Sequence, residues 1–356
     1  MTGLETALSL VERGYVPDWV SRQGIRRLLE KRLREESAGS TEGDRHRLRQ
    51  FADQLRRSAV ALHPDKANEQ HYEVPPEFFL EILGKHLKYS SCYWDRETRN
   101  LDEAETRMLA LTCERAGLVD GQDILELGCG WGSLTLWMAR QFPSSRILAM
   151  SNSTPQREFV LERAGREGLE NVQVVTCDVN EFQTELRFDR VVSVEMFEHV
   201  RNYAELMRRI AGWLRPDGKL FVHIFCHRRF AYPFETEGAD NWMGRYFFTG
   251  GIMPSDDLLL HFQDDLELET RWTVDGTHYA RTACAWLDRM TLNRERIDPI
   301  LARVYGRQNA TVWRNRWRLF FMACEELFGY RGGREWQVSH YRFRPRATAQ
   351  KTSGSS

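Results

Sequence analysis

The sequence predicts an α/β fold built on a mostly parallel sheet, and two observations carry that expectation. From Asp123 onward, apolar runs of strand length alternate with amphipathic stretches of helix length. The first of these runs, Ile124-Leu125-Glu126-Leu127, enters a turn with glycine at every second position, Gly128, Gly130 and Gly132, and an amphipathic run begins at Ser133. Such a turn lets the backbone approach a ligand where a Cβ would collide. The helix start behind it offers free N–H groups to a carboxylate.

Ahead of this unit, residues 1–70 read as a polar helical region. Trp19, Val20, Ile25, Leu28, Leu29 and Leu33 fall at helical spacing among a basic face of Arg22, Arg26, Arg27, Lys31, Arg32 and Arg34. Glu30, Glu35 and Glu36 interrupt that face, which favours the solvated side of a packed helix over a membrane or RNA contact. Ala38-Gly39-Ser40 breaks the pattern, and a second helix is expected over residues 45–62. At His71-Tyr72-Glu73-Val74-Pro75-Pro76 the prolines force an extended approach to a helix that ends near Gly84. Residues 87–94, Leu-Lys-Tyr-Ser-Ser-Cys-Tyr-Trp, read as a lid or a ligand contact, and residues 101–116 as a helix with acids in its first turn.

Strands are expected at residues 123–127, 146–150, 172–176 and 188–194, and residues 213–219 as a turn into a strand over 220–225. Ligands should bind at the carboxyl ends of these strands. Beyond them lie Phe225, Phe230, Tyr232, Phe234, Trp242, Tyr246, Phe247, Phe248, Tyr279 and Trp286, candidates for an aromatic wall, of which fewer than half should line a site because most aromatics are core. Residues 244–254 read as an aromatic loop rather than a packed element. Helical periodicity returns from Trp313 to Leu327, and the polar tail at 346–356 is expected to be disordered.

Composition excludes several classes. Fifty Lys plus Arg against 51 Asp plus Glu leave a net charge of −1, so no global field draws the chain to nucleic acid or anionic lipid. The seven cysteines are scattered without a C-x-x-C pair, which argues for reduced thiols and against a zinc site, and no metal is expected. Residues 1–11 lack the pattern of a signal peptide and no stretch has the length of a membrane span, so a cytoplasmic protein without stable membrane insertion is expected. The oligomeric state is left open, a homodimer included.

A dinucleotide site would need G-x-G-x-x-G and an acid about 20 residues on. Here the pattern is G-x-G-x-G, and the second strand ends in Ser151-Asn152-Ser153. The spacing resembles that of S-adenosylmethionine-dependent methyltransferases, whose cofactor has an amino-acid tail. Asp178, directly after the third strand, is placed to accept from an adenine amino group, and Gln156 opens the helix after the second. The fourth strand ends in Glu195-Met196-Phe197-Glu198-His199. A helix starting near Glu195 would put 195, 198 and 199 on one face. Methyl transfer from a sulfonium needs a neutral nucleophile placed close to the methyl carbon. An amine arrives protonated, and a histidine oriented by a glutamate is a natural acceptor.

Seven segments carry a longer resemblance: residues 71–75, 83–90, the glycine turn, 195–199, Phe221-Val222-His223, 245–254 and Phe328-Gly329-Tyr330. Together they resemble the coclaurine N-methyltransferase branch of the cyclopropane fatty acid synthase superfamily over residues 65–345. The resemblance implies a class I methyltransferase fold, Rossmann-like, with a mostly parallel seven-stranded sheet. It also implies a helical N-terminal cap and substrate-lid insertions at about 226–260 and 285–335. S-adenosylmethionine would be held by Tyr89, Ser90, Gly128, Gly130, Gln156 and Asp178, with Gly132, Asn152 and Val179 beside them. Glu195, Glu198 and His199 would serve a small secondary or tertiary amine, Glu198 and His199 as the catalytic pair, and His223, Phe225, Tyr232, Trp242 and Tyr279 would contact it. The lipid-modifying relatives imply an alternative, methylation of an acyl alkene with bicarbonate as base. Glu198, His223 and Tyr279 match their bicarbonate site, but Ser91 stands where they have cysteine and Phe225 where they have isoleucine. A non-catalytic protein that binds S-adenosylmethionine is the third alternative.

Overall fold

The computed structural model describes residues 3–62 and 74–346. Seven strands form one sheet: β1 (Asp123–Leu127), β2 (Arg146–Ser151), β3 (Val172–Thr176), β4 (Phe188–Val194), β5 (Leu214–His227), β8 (Leu266–Val274) and β9 (Trp336–Pro345). Their order is β3-β2-β1-β4-β5-β9-β8; the first five run parallel, β9 runs against them, and β8, antiparallel to β9, runs with the five. A hairpin of β6 (Tyr232–Pro233) and β7 (Ile252–Met253) stands apart. The chain moves outward from β1 in one direction and returns to β4 on the other side. That reversal opens a crevice at the carboxyl ends of β1 and β4, where the glycine turn and Glu195 both lie.

The four predicted parallel strands lie where expected: Ile124, Leu125 and Leu127 of the central β1 are fully buried, while the edge strand β3 buries only Val174. The predicted turn at 213–219 is instead drawn into β5. Phe188 pairs with Leu214 and Arg190 with Lys219, so the intervening residues bulge within the strand rather than precede it. The second predicted helix runs over Thr41–Leu55, capped by the Ser40 side chain. It stops short of residue 62 because the Val60 carbonyl accepts from Arg201 N and Ala61 bridges Val200. The helix behind the two prolines is Pro76–Ile82, with Phe78, Phe79 and Ile82 buried.

No helix begins at Glu195. That residue has φ +48°, Phe197–His199 is a single tight turn, and the helix proper starts at Tyr203. Glu195 N donates to the His223 carbonyl, and Val200 and Arg201 are tied to residues 60–61, so tertiary pairing claims the backbone groups a helix would use. Residues 244–254 are also packed rather than loose. A short helix, Trp242–Tyr246, leads into the wholly buried Phe247, and Ile252 and Met253 are buried in the hairpin.

Three helices, Gly276–Leu292, Arg294–Tyr305 and Ala310–Gly329, connect β8 to β9, so this insertion starts earlier than residue 285. The N-terminal helices Gly3–Glu12 and Asp18–Glu36 lean on them through Leu8, Val11, Ile25, Leu29 and Leu33. Arg22 pairs with Glu325 at 2.7 Å and Glu326 at 2.8 Å, so part of the basic face is a packing face. Among the described residues no helix is long and apolar enough to cross a membrane. His71, Tyr72 and Glu73, the boundary near residue 70 and the tail from 347 lie outside the described residues.

Candidate active site

A cavity of about 1240 Å³ opens over the carboxyl ends of β1, β2 and β4. Tyr89, Ser90, Gly128, Gly130, Asn152, Gln156, Asp178 and Val179 all line it. Gly132 does not. Its φ is +80° and a Cβ there would meet Val160 Cγ2 at 2.6 Å, so this glycine serves helix packing. At Gly130, φ +52°, a Cβ would meet nothing within 4 Å. The cavity adds Lys88, Glu126, Trp131, Ser133 and Cys177, which the sequence reading did not single out. Glu126 had a visible signal, an acid inside an apolar strand. It is 2% exposed, accepts from Thr135 Oγ1 at 2.5 Å, and burial pushes its carboxyl up to about 7.

The lining fits S-adenosylmethionine. Gln156 Oε1 accepts from Ser151 Oγ at 2.7 Å, while Gln156 Nε2 and Ser133 Oγ are buried without a partner among the described residues. Buried polar atoms left this way are matched by a polar ligand. Ser133 opens the helix Ser133–Gln141, whose first N–H groups suit a carboxylate tail. Asp178 Oδ1 accepts from Asn180 N at 2.8 Å, which holds the carboxylate at the cavity wall.

Glu195 stands at the inner end. Its carboxylate accepts from Ser91 N at 2.9 Å and Tyr279 OH at 2.6 Å, and His223 Nε2 lies 3.2 Å from its Oε1. Glu198 is wholly buried and lines neither this cavity nor the next. Its Oε1 accepts from Phe225 N at 2.8 Å, and its Oε2 has no partner among the described residues. Burial raises both carboxyl pKa values, and the nearby Glu195 raises that of Glu198 further. Each carboxyl opposes charge on the other, and the groups that favour a carboxylate, Lys88, Tyr279 OH and Ser91 N, converge on Glu195. Lys88 Nζ itself donates to the Ser91 carbonyl at 2.7 Å. His199 borders both cavities and stacks on Phe248 with centroids 5.8 Å apart. Burial lowers its pKa to about 4, so the imidazole is neutral at pH 7.

A second cavity, about 730 Å³, meets the first at Tyr89, Glu195 and His199. Phe225, Phe234, Phe248, Tyr279 and Trp286 line it, half of the ten candidate aromatics rather than fewer, joined by Phe320 and Phe328. Phe320 was legible only as helix periodicity, which cannot separate a core residue from a cavity wall, and Phe328 only as part of a segment carrying the family resemblance. Tyr232 and Trp242 are not in the wall. Tyr232 OH accepts from Trp336 Nε1 at 3.1 Å beneath Arg32, and Trp242 Nε1 donates to Glu12 Oε1 at 2.9 Å. His223 is likewise off the wall, wholly buried behind Glu195.

Residues 62–338 match the family model described as mycolic acid cyclopropane synthetase. The chain belongs to that family. Within the family it is similar to (S)-coclaurine N-methyltransferase of Thalictrum flavum subsp. glaucum, 39% identical over 341 residues, 95% of this chain and 94% of the relative. It is also 34% identical to pavine N-methyltransferase of the same plant, over 94% of this chain and 95% of the relative. The crystal structure of coclaurine N-methyltransferase bound to N-methylheliamine and SAH superposes with a TM-score of 0.93 at 37% identity, covering 96% of this chain and all of that one. This member is therefore an S-adenosylmethionine-dependent methyltransferase of the coclaurine N-methyltransferase branch.

Proposed function

We propose that the enzyme methylates the nitrogen of a secondary or tertiary amine carried on an aromatic ring system, with Glu195 and His199 as the groups that meet the amine. The observation that carries this is the junction of the two cavities, where one carboxylate and one neutral imidazole face a space walled by aromatic rings. When bound, S-adenosylmethionine supplies an electrophilic methyl carbon on a sulfonium. The chain does the rest by placement. Phe225, Phe248, Tyr279 and Phe328 hold the ring system and exclude water. Glu195 attracts the ammonium form and stabilises the cationic product. His199 Nε2 or Nδ1 accepts the ammonium proton so that the nitrogen lone pair is free. The aromatic cavity disfavours the ammonium for the same reason it disfavours an imidazolium, so the two pKa values fall together and transfer stays accessible. The named substrates of the relatives, coclaurine and pavine, are amines of this kind.

The lipid reading is disfavoured by one contact set. His223 and Tyr279, which the resemblance assigned to bicarbonate, are both hydrogen-bonded to Glu195. The anion in that place is the chain's own. Labelled-methyl transfer with a panel of secondary and tertiary amines, beside unsaturated phospholipid vesicles with and without bicarbonate, tests the proposal. Transfer to an amine without added bicarbonate is expected; bicarbonate-dependent transfer to lipid overturns it.

A further inference from the structure

Behind Glu195 a line of side chains runs through the sheet. Glu195 Oε1 faces His223 Nε2 at 3.2 Å, His223 Nδ1 faces His340 Nε2 at 2.9 Å, and His340 Nδ1 faces Arg115 Nη1 at 2.8 Å. His223 and His340 are register partners on β5 and β9, and both are wholly buried. Arg115 is half-buried in the last turn of the helix Leu101–Ala116, its guanidinium 5.3 Å from the centroid of the Trp272 ring.

A guanidinium can only donate hydrogen bonds. His340 Nδ1 beside it is therefore an acceptor, which puts the His340 hydrogen on Nε2, aimed at His223 Nδ1. That in turn puts the His223 hydrogen on Nε2, aimed at Glu195. Each tautomer follows from the one before it.

We propose that Arg115 and His340 are positioning residues of the transferase site, fixing the tautomer in which His223 donates to Glu195 and so keeping Glu195 a carboxylate beside the amine. The inference rests on the amine reading above. In the reverse tautomers a His340 Nδ1 hydrogen would point at an Arg115 N–H, and a His223 lone pair would face Glu195 unless Glu195 took up a proton. The direction of the line and the charge of Glu195 are thus one variable. Lys88, Cys92, Glu198, His199, Tyr279 and Cys324 also face Glu195: Lys88 and Tyr279 favour its charge, and Glu198 opposes it. Lys88 and Arg115 face the imidazoles and disfavour their protonation, so the line acts through tautomers and not through charge. It carries no proton to solvent, because arginine at its end does not release one.

The test uses the full chain labelled with ¹⁵N-histidine, as wild type, Arg115→Met and Arg115→Lys. Wild-type His223 and His340 should both read as Nε2–H tautomers in the ring-nitrogen spectrum. Arg115→Met should move at least one to Nδ1–H and shift the acid limb of kcat/KM for the amine upward by about one pH unit, about a tenfold loss below the limb. Arg115→Lys, still a pure donor, should retain both behaviours, and affinity for SAH should stay unchanged throughout. Nδ1–H tautomers in the wild type overturn the proposal, as do an unshifted spectrum and pH profile in Arg115→Met. The wild-type spectrum decides even if Arg115→Met does not fold. Tautomers are read without turnover, so a failed amine assay would count against the amine reading alone.

Discussion

Gly130 and Gly132 stand two positions apart in one turn and serve different ends, because one faces open space and the other faces Val160. Gly130→Val should therefore abolish SAH binding by calorimetry while the chain still folds, at a strain of about 1–2 kcal/mol for the left-handed backbone. Unchanged affinity would remove the turn from the cofactor site. Glu198 and His199 are neighbours with equally different surroundings. His199→Ala should lower kcat by ~100-fold or more with SAH affinity nearly intact, the range expected of a general base. Burial and the neighbouring Glu195 raise the Glu198 carboxyl, whose Oε1 accepts from Phe225 N, and glutamine reproduces that acceptor. Glu198→Gln should accordingly retain most of the activity. Glu198→Ala leaves a buried N–H unpaired, at a cost of about 1–3 kcal/mol. Equal losses in Glu198→Gln and His199→Ala would make Glu198 a partner in the proton transfer, as the family resemblance implied.

At the level of elements, β5 sets much of the site, since it carries His223 and Phe225 on the way to His227. The His227 ring ends that strand by accepting from Arg229 N at 3.0 Å and Phe230 N at 2.8 Å through Nδ1, and burial lowers its pKa to about 3. An unfolded histidine titrates near 6.5. Between these values the unfolded chain binds a proton that the folded chain refuses, so this group's contribution to stability is full above pH 6.5 and falls as pH drops towards 3. His227→Asn keeps a side-chain acceptor without the titration. Urea melts should show the stability lost between pH 7 and pH 4 reduced by about 3 kcal/mol in the variant. An identical loss would mean that the folded protein protonates His227 in place. The parallel strands around β5 were legible because burial on both faces writes a continuous apolar run. The helix expected at Glu195 was not, because residues 60–61 and His223 compete for its backbone groups.

Across the whole molecule, the substrate cavity depends on a relay of packing that starts at the N-terminus. Phe320, Cys324, Leu327 and Phe328 line the cavity from the helix Ala310–Gly329, and the helices of residues 3–36 brace that helix through Arg22, Glu325 and Glu326. The glycine turn follows β1, and none of its residues lines this second cavity. Removing residues 1–36 should raise KM for the amine by about tenfold or more, the scale of a slightly misplaced wall. SAH affinity should stay nearly constant. Parallel loss of both would show that the N-terminal helices hold the entire fold.

Local information was sufficient for the parallel strands, the glycine turn and the class of reaction, because each depends on residue type and spacing along a few neighbouring positions, and eight of the nine residues expected to hold the cofactor line the first cavity. Only the tertiary structure decided which carboxylate faces the amine, which aromatics form the wall, and that His223, His340 and Arg115 stand in line behind Glu195. Those relations join residues 28 to 225 positions apart. They are set by strand register and by the packing of helices inserted late in the chain, and neither leaves a periodic trace in the sequence.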